Sequence, residues 1–142
     1  GKDVAEMPGA GAAGGLGAAF AAFLGARLQS GIDMVLDAVG FDEKIKGADL
    51  ILTGEGSIDR QSLMGKVLSG VLKRAKNQNI PVVAVSGQVK DSEELNRAGF
   101  AAVFPIESGS VSLETAMSKS YASANLVRTI RQILLLIKAI PK

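Results

Sequence analysis

The residues best suited to chemistry are two carboxylates four positions apart, Glu55 and Asp59, in the run Thr53-Gly54-Glu55-Gly56-Ser57-Ile58-Asp59. The sequence contains no histidine and no cysteine. That removes Ser-His-Asp arrangements, thiol nucleophiles, disulfides and structural zinc. A general base must then be Asp, Glu or Lys, and a bound metal must take oxygen ligands, which suits Mg²⁺. Glu55 and Asp59 are the acids best placed to hold Mg²⁺ or to accept a hydroxyl proton. The competing structural role is turn or N-cap duty for Asp59. Glu55, held between two glycines, has less structural reason to be there.

Further candidates are anion sites. Gly9-Ala10-Gly11-Ala12-Ala13-Gly14 fits the dinucleotide pattern G-x-G-x-x-G. That pattern requires a strand just before it, and Pro8 and the polar stretch 2–6 make a poor one. A more general property survives. A glycine-rich turn opening a helix leaves unpaired N–H groups at the positive end of the helix dipole, and anions bind there. Gly9, Gly11, Gly14 and Gly15 are the residues concerned; the alternative is that they permit close helix packing. Gly65-Lys66 is a second turn that opens a helix, without the Walker pattern, since Arg60 and Val67 stand where Gly and Ser or Thr belong. Ser86-Gly87-Gln88 ends an apolar run and would line the same crevice as Glu55.

The elements that must carry these residues follow from apolar spacing. Residues 12–29 predict a helix with Leu16, Phe20, Phe23, Leu24 and Leu28 inward, ended by Gly31. Residues 32–39 read as a passage from strand to helix, and 41–45 as a short helix stopped by Gly47. Strands are expected at 50–53, 81–86 and 101–105, and helices at 66–78 and 91–98. A last helix spans 113–140, continuous or broken once near 118–120, with Leu126, Ile130, Ile133, Leu134 and Ile137 inward. Strand-helix alternation with strands apolar on both faces predicts a three-layer α/β/α arrangement around a parallel sheet. Glu55 and Asp59 would then sit on a loop at the carboxyl end of the first strand, where open α/β sheets bind ligands. The change in composition near residue 47 suggests two parts, 1–46 and 47–142.

The 142 residues suffice for one compact domain, and 47% of them are hydrophobic. The net charge of +2 and the scarcity of aromatics argue against nucleic-acid binding. Residues 7–26 are uncharged but consist mostly of Gly and Ala, too weakly apolar for a membrane span. Absence of cysteine fits a cytoplasmic setting. The chain begins at Gly1 without an initiator Met and reads as an internal piece of something longer.

Taken together, the motifs resemble the type I glycerate kinase family. The matching segments are 8–17 (Pro-Gly-Ala-Gly-Ala-Ala-Gly-Gly-Leu-Gly), Ser30-Gly31-Ile32-Asp33, 47–59 through Thr53-Gly54-Glu55-Gly56-Ser57-Ile58-Asp59, Gln61-Ser62-Leu63-Met64-Gly65-Lys66, and the strand 81–87. Members are much longer and open with a strand and an Asp-Ser-Phe-Lys-Gly-like loop that has no match here, so the resemblance implies the carboxyl-terminal part of such an enzyme. It implies two α/β domains, one inserted into the other. Residues 1–46 would finish the inserted domain and 47–142 would supply much of a flavodoxin-like domain. It further implies transfer of the γ-phosphoryl of ATP to D-glycerate with Mg²⁺, and substrate or phosphate contacts at Gly9, Gly11, Gly14, Gly15, Thr53, Gly54, Gly56, Gln61, Gly65, Lys66, Ser86 and Gly87. A part cut from interleaved domains should be inactive alone and should self-associate through uncovered apolar surface. The alternative is a stand-alone flavodoxin-like module that binds a nucleotide or other anion without catalysis.

Overall fold

The structure is a computed structural model, and it describes residues 3–64, 66–107 and 109–141. It divides into two compact units, Gly1–Phe41 and Asp42–Lys142.

The first unit is helical. Helix α1 spans Ala12–Leu24, and α2 spans Gly31–Ala38. Three consecutive residues near the start of α1 are left-handed: Ala13 (φ 50°), Gly14 (φ 67°) and Gly15 (φ 99°). Glycine takes that conformation without steric cost, whereas Ala13 is strained there. The regular helix therefore begins only at Leu16. It stops five residues before the position expected from apolar spacing, because Gly25 takes the left-handed C-cap (φ 63°) and its N–H bonds back to the Phe20 carbonyl. Gly31 does not end a helix; it opens α2, and residues 32–38 contain no strand. The inward face is also different. Gly17 and Ala21 are buried, while Leu16, Phe20, Phe23 and Leu24 are exposed, Phe23 by 87%.

The second unit begins within the short helix α3 (Phe41–Lys44) and alternates as expected. Strand β1 is Ile51–Ile58, followed by a 3-10 turn at Arg60–Leu63 and helix α4, Val67–Asn77. Strand β2 is Val82–Val89, α5 is Ser92–Ala98 and β3 is Ala102–Pro105. Helix α6 is Leu113–Met117 and α7 is Lys119–Ala139, with the break at Ser118. The three strands are parallel in the order β1-β2-β3.

Alternation along β2 sends Val83 and Val85 to one face, where they meet Ile133 of α7 together with Leu50, Leu52, Phe104 and Ile106. Val82 and Ala84 turn to the other face. Helix α4 packs against β1 and β2 and buries Leu68, Val71, Leu72 and Ala75. Arg74 of α4 donates to the Asp42 carboxylate at 2.5 Å, and Gln78 Nε2 donates to the Asp42 carbonyl at 2.8 Å, which fixes the end of α4 to α3. On α7 only Ile133 of the five apolar residues expected inward is buried; Ile130 is half-buried and Leu126, Leu134 and Ile137 are exposed.

Candidate functional site

Strand β1 carries four of the candidate residues, Thr53, Gly54, Glu55 and Gly56, and this segment is strand rather than loop. Pairing with β2 continues past the glycines in the register Gly54↔Val85, Glu55↔Ser86 and Ser57↔Gln88. Backbone closeness explains one glycine directly. A Cβ on Gly54 would stand 2.4 Å from the Val85 carbonyl oxygen, so no side chain fits there. A Cβ on Gly56 would meet nothing within 4 Å, so that position is open.

The extended backbone also changes the relation of the two acids. Residues 53, 55 and 57 fall on one side of the strand by alternation, and Asp59 follows the strand's last residue, Ile58, at the start of the 3-10 turn. The sequence reading put both on one short loop. The structure places Glu55 within β1 and Asp59 just past its end.

Glu55 is half-buried and lines a cleft of about 360 Å³ with Leu52, Thr53, Gly54, Val85, Leu126 and Ile130. Among the described residues its carboxylate has neither a hydrogen bond nor an ion pair. A half-buried acid without a protein partner among the described residues is unusual for a purely structural residue, because half-burial removes water that nothing then replaces. Leu126 and Ile130 come from α7, some seventy positions later, and no local pattern marked them as neighbours of Glu55.

Asp59 has a visible structural duty. Its Oδ1 accepts from the Ser62 N–H at 3.2 Å and from the Ser62 hydroxyl at 3.4 Å, while its own N–H donates to Ser62 Oγ at 3.3 Å. This reciprocal closure starts the 3-10 turn, and Ser62 is buried beneath it. Oδ2 remains without a bond among the described residues. Gln61 lies in the same turn. Gly65 and the side chain of Gln61 lie outside what the structure describes.

Lys66 is the N-cap of α4, exposed, with no side chain capping the helix. Its carbonyl accepts from the Gly70 N–H at 3.1 Å and from Ser69 Oγ at 2.8 Å. Among the described residues the N-cap side chain makes no bond to the first turn of α4, and the Lys66 ammonium has no acidic partner. Ser86 is buried, and its hydroxyl donates to the Gln88 carbonyl at 2.8 Å, so this side chain is committed to its own strand end. Gly87 sits against Gly56, whose carbonyl oxygen would be 2.7 Å from an added Cβ.

In the first unit the glycine turn folds back on itself. The Ala18 N–H donates to the Ala10 carbonyl and the Ala12 N–H to the Gly9 carbonyl, each at 3.0 Å. Turns, not a strand, precede Gly9 among the described residues, which removes the dinucleotide reading of the G-x-G-x-x-G match. Gly9 borders a cleft of about 740 Å³ lined also by Pro8, Arg27, Gln29, Ser30 and Asp33. Arg27 was not singled out in the sequence. The only signal available was a lone cation on the short link between α1 and the N-cap Ser30 of α2. Among the described residues, no three potential metal-ligating side chains come together.

A family model described as the glycerate kinase family matches residues 1–138. The chain belongs to the glycerate kinase family. It is similar to the glycerate kinase of Bacillus cereus, at 46% identity over 132 residues, which cover 92% of this chain and 34% of that protein. It is similar to the glycerate 2-kinase of Escherichia coli at 42% identity over 134 residues, 90% of this chain and 35% of that protein. Among solved structures it resembles a putative glycerate kinase 2 from Salmonella typhimurium, with a TM-score of 0.65, 42% identity, and coverage of 92% of this chain and 33% of that one. The chain thus spans about a third of the length of the glycerate kinases it matches. Among the described residues no helix is long and apolar enough to cross a membrane.

Proposed function

We propose that this chain is the part of a glycerate kinase that supplies the acidic sheet edge and two anion-binding turns, and that the whole enzyme transfers the γ-phosphoryl of ATP to a hydroxyl of D-glycerate. The supporting observation is Glu55: an unpartnered, half-buried carboxylate at the carboxyl half of a parallel strand, in a chain of this family. Carboxyl ends of parallel strands are where open α/β sheets bind ligands.

In the proposed reaction the glycerate hydroxyl oxygen forms a bond to the γ-phosphorus, the bond from that phosphorus to the bridging oxygen breaks, and ADP leaves. The hydroxyl proton passes to a carboxylate. Phosphoryl transfer of this kind depends on positioning and charge neutralisation more than on covalent help from the protein. Glu55 and Asp59 divide the two carboxylate duties, proton acceptor and Mg²⁺ ligand. Asp59 keeps only Oδ2 without a bond among the described residues, while the Glu55 carboxylate has no bond among them, so the two acids are not equivalent. Magnesium sites in kinases commonly rest on one or two carboxylates, with phosphate oxygens and water completing the octahedron, so the absence of a three-acid cluster among the described residues is compatible with the group. When bound, Mg²⁺ would neutralise charge on the transferring phosphate.

Lys66 and the first turn of α4, with the neighbouring Gly65, would meet one anion. Gly9, Gly11, Gly14 and Gly15 would meet the other. Thr53, Gly54, Gly56, Gln61, Ser86 and Gly87 would shape the edge between strand and ligand. The helical unit would be the end of an inserted domain, and the sheet unit part of a flavodoxin-like one.

The test is a coupled ADP-release assay with D-glycerate and Mg-ATP, run on this chain and on the chain extended to the length of its relatives. Turnover is expected in the longer polypeptide and not in the 142 residues alone. In the longer form, Glu55→Gln and Asp59→Asn should each lower kcat by about 10²-fold or more. Unchanged rates in both variants would remove these acids from the reaction.

A further inference from the structure

Helix α7 has two buried residues, Asn125 and Ile133. They are eight positions apart, so both fall on the sheet-facing side. Ile133 meets Val83 and Val85 in the amino half of β2. Asn125 lies two turns earlier, about 12 Å along the helix axis. Its neighbours fix the level at which it sits. Leu126 lines the cleft with Thr53, Gly54, Glu55 and Val85. One turn before Asn125, the Tyr121 hydroxyl donates to Glu107 Oε1 at 2.8 Å, two residues past the end of β3. Asn125 is therefore held at the carboxyl ends of the parallel strands, the rim where open α/β sheets bind ligands.

Asparagine has no structural duty at this position. It lies well inside α7, too far from either end to cap the helix. Asparagine is a poor helix former, and the inward positions of a covering helix are normally apolar. Asn125 is 4% exposed, yet its side chain has no hydrogen bond among the described residues. Every fully enclosed side-chain nitrogen or oxygen among those residues has a partner. The Asn125 amide has none, so it is the part of this buried residue that still reaches the surface. An amide fixed in the core and looking out through a small opening matches the sparse, placed polar groups of ligand sites.

The amide also selects the chemistry of its ligand. It is satisfied only when Oδ1 receives a donor and Nδ2 finds an acceptor. A phosphate or a lone carboxylate offers acceptors only and would leave Oδ1 bare. The complement is a donor and an acceptor on neighbouring atoms. Of the two substrates in the reaction proposed above, ATP carries such a pair on its adenine edge, and glycerate carries one in its hydroxyl and carboxylate. Both are anions, and Arg128, one turn on, is exposed and has no acidic partner among the described residues.

We infer that Asn125 is a substrate-binding residue, whose amide bonds a neighbouring donor and acceptor of one of the two substrates at the carboxyl rim of the sheet. Its hydrogen bonds are made to ligand rather than to protein. The inference takes the identity of the two ligands from the reaction proposed above, and it depends on neither Glu55 nor Asp59.

One arm of the test uses this 142-residue chain without ligand. Asn125→Leu and Asn125→Met remove the amide and keep an apolar side chain of adequate size. The thermal midpoint should stay unchanged or rise, because no protein bond is lost. A fall of about 4 °C or more in both variants would reveal a partner within the protein and overturn the inference. The other arm uses the chain at family length. Calorimetry with ADP alone and with D-glycerate alone is compared with KM for each substrate and with kcat. In Asn125→Leu one ligand should bind at least about tenfold more weakly, with the other unchanged, and the ligand affected names the source of the pair. Removing the donor from that ligand, with purine riboside diphosphate for ADP or 3-hydroxypropanoate for glycerate, should cost the native chain about tenfold and the variant nothing further. Ser123→Ala, at an exposed neighbour, should change neither affinity. Unchanged affinity for both ligands, or equal loss for both, would overturn the inference. If the native family-length chain bound neither ligand, the proposed reaction itself would fall; if it bound both and the variant matched it, only the role of Asn125 would.

Discussion

Gly54 offers the sharpest test of the strand geometry. A Cβ at this position would stand 2.4 Å from the Val85 carbonyl oxygen and 3.2 Å from Val85 Cγ2. Real Cβ contacts lie beyond about 3.4 Å, so β1 must move by roughly 1 Å or lose its pairing with Val85. Val85 is buried in the cluster with Val83 and Ile133 and has little room to yield. Forced overpacking of this kind costs about 1–3 kcal/mol. Gly56 is two residues along the same strand, with nothing within 4 Å of an added Cβ. Gly56→Ala should be neutral or stabilise by up to about 1 kcal/mol, through reduced freedom of the unfolded chain. Urea denaturation of the two variants, followed by circular dichroism, should therefore separate them by at least about 1 kcal/mol, or roughly 4 °C or more in Tm for a domain of this size. Equal stabilities would refute the claim that the Gly54 backbone is pressed against β2. A destabilised Gly56→Ala with a neutral Gly54→Ala would refute the register itself.

Other outcomes follow from the same contacts. Asp59→Ala should cost about 1 kcal/mol through loss of the Ser62 bonds, whereas Asp59→Asn keeps an Oδ1 acceptor and should cost less than about 0.5 kcal/mol in the same denaturation assay. Equal costs would dismiss the turn-closing role. Arg74→Ala should cost about 1–3 kcal/mol, because the Arg74 side chain is 15% exposed and Asp42 loses its partner. Arg97→Ala, at an exposed pair with Glu93, should stay within about 0.5 kcal/mol by thermal melts. Phe23→Ser should leave the stability of this chain within about 0.5 kcal/mol, since that ring is already in solvent.

The alternation of β1, α4, β2, α5 and β3 was legible in the sequence because strands buried on both faces must be continuously apolar, and the helices between them must not be. For the last helix the sequence left open a continuous run over 113–140 or one break near 118–120, and the structure has the break at Ser118. The fold of 9–15 was only half legible. Its glycines announced a turn, but three successive left-handed residues and the bond from Ala18 to Ala10 depend on how the chain folds back.

Glu55 marks the division between the two sources of information. Its type, its glycine neighbours and the lack of any histidine or cysteine are properties of the sequence, and they limit the available chemistry to oxygen ligands and to carboxylate or lysine bases. Gly-Glu-Gly reads locally as loop, because glycine has no strand preference of its own. Only β2 running alongside, with Val85 too close for any side chain at 54, shows the segment to be extended strand that places Glu55 within β1 rather than on a loop. Spacing along α7 likewise states which side chains seek cover; whether cover is present is a property of the packed molecule, since burial depends on residues distant in sequence.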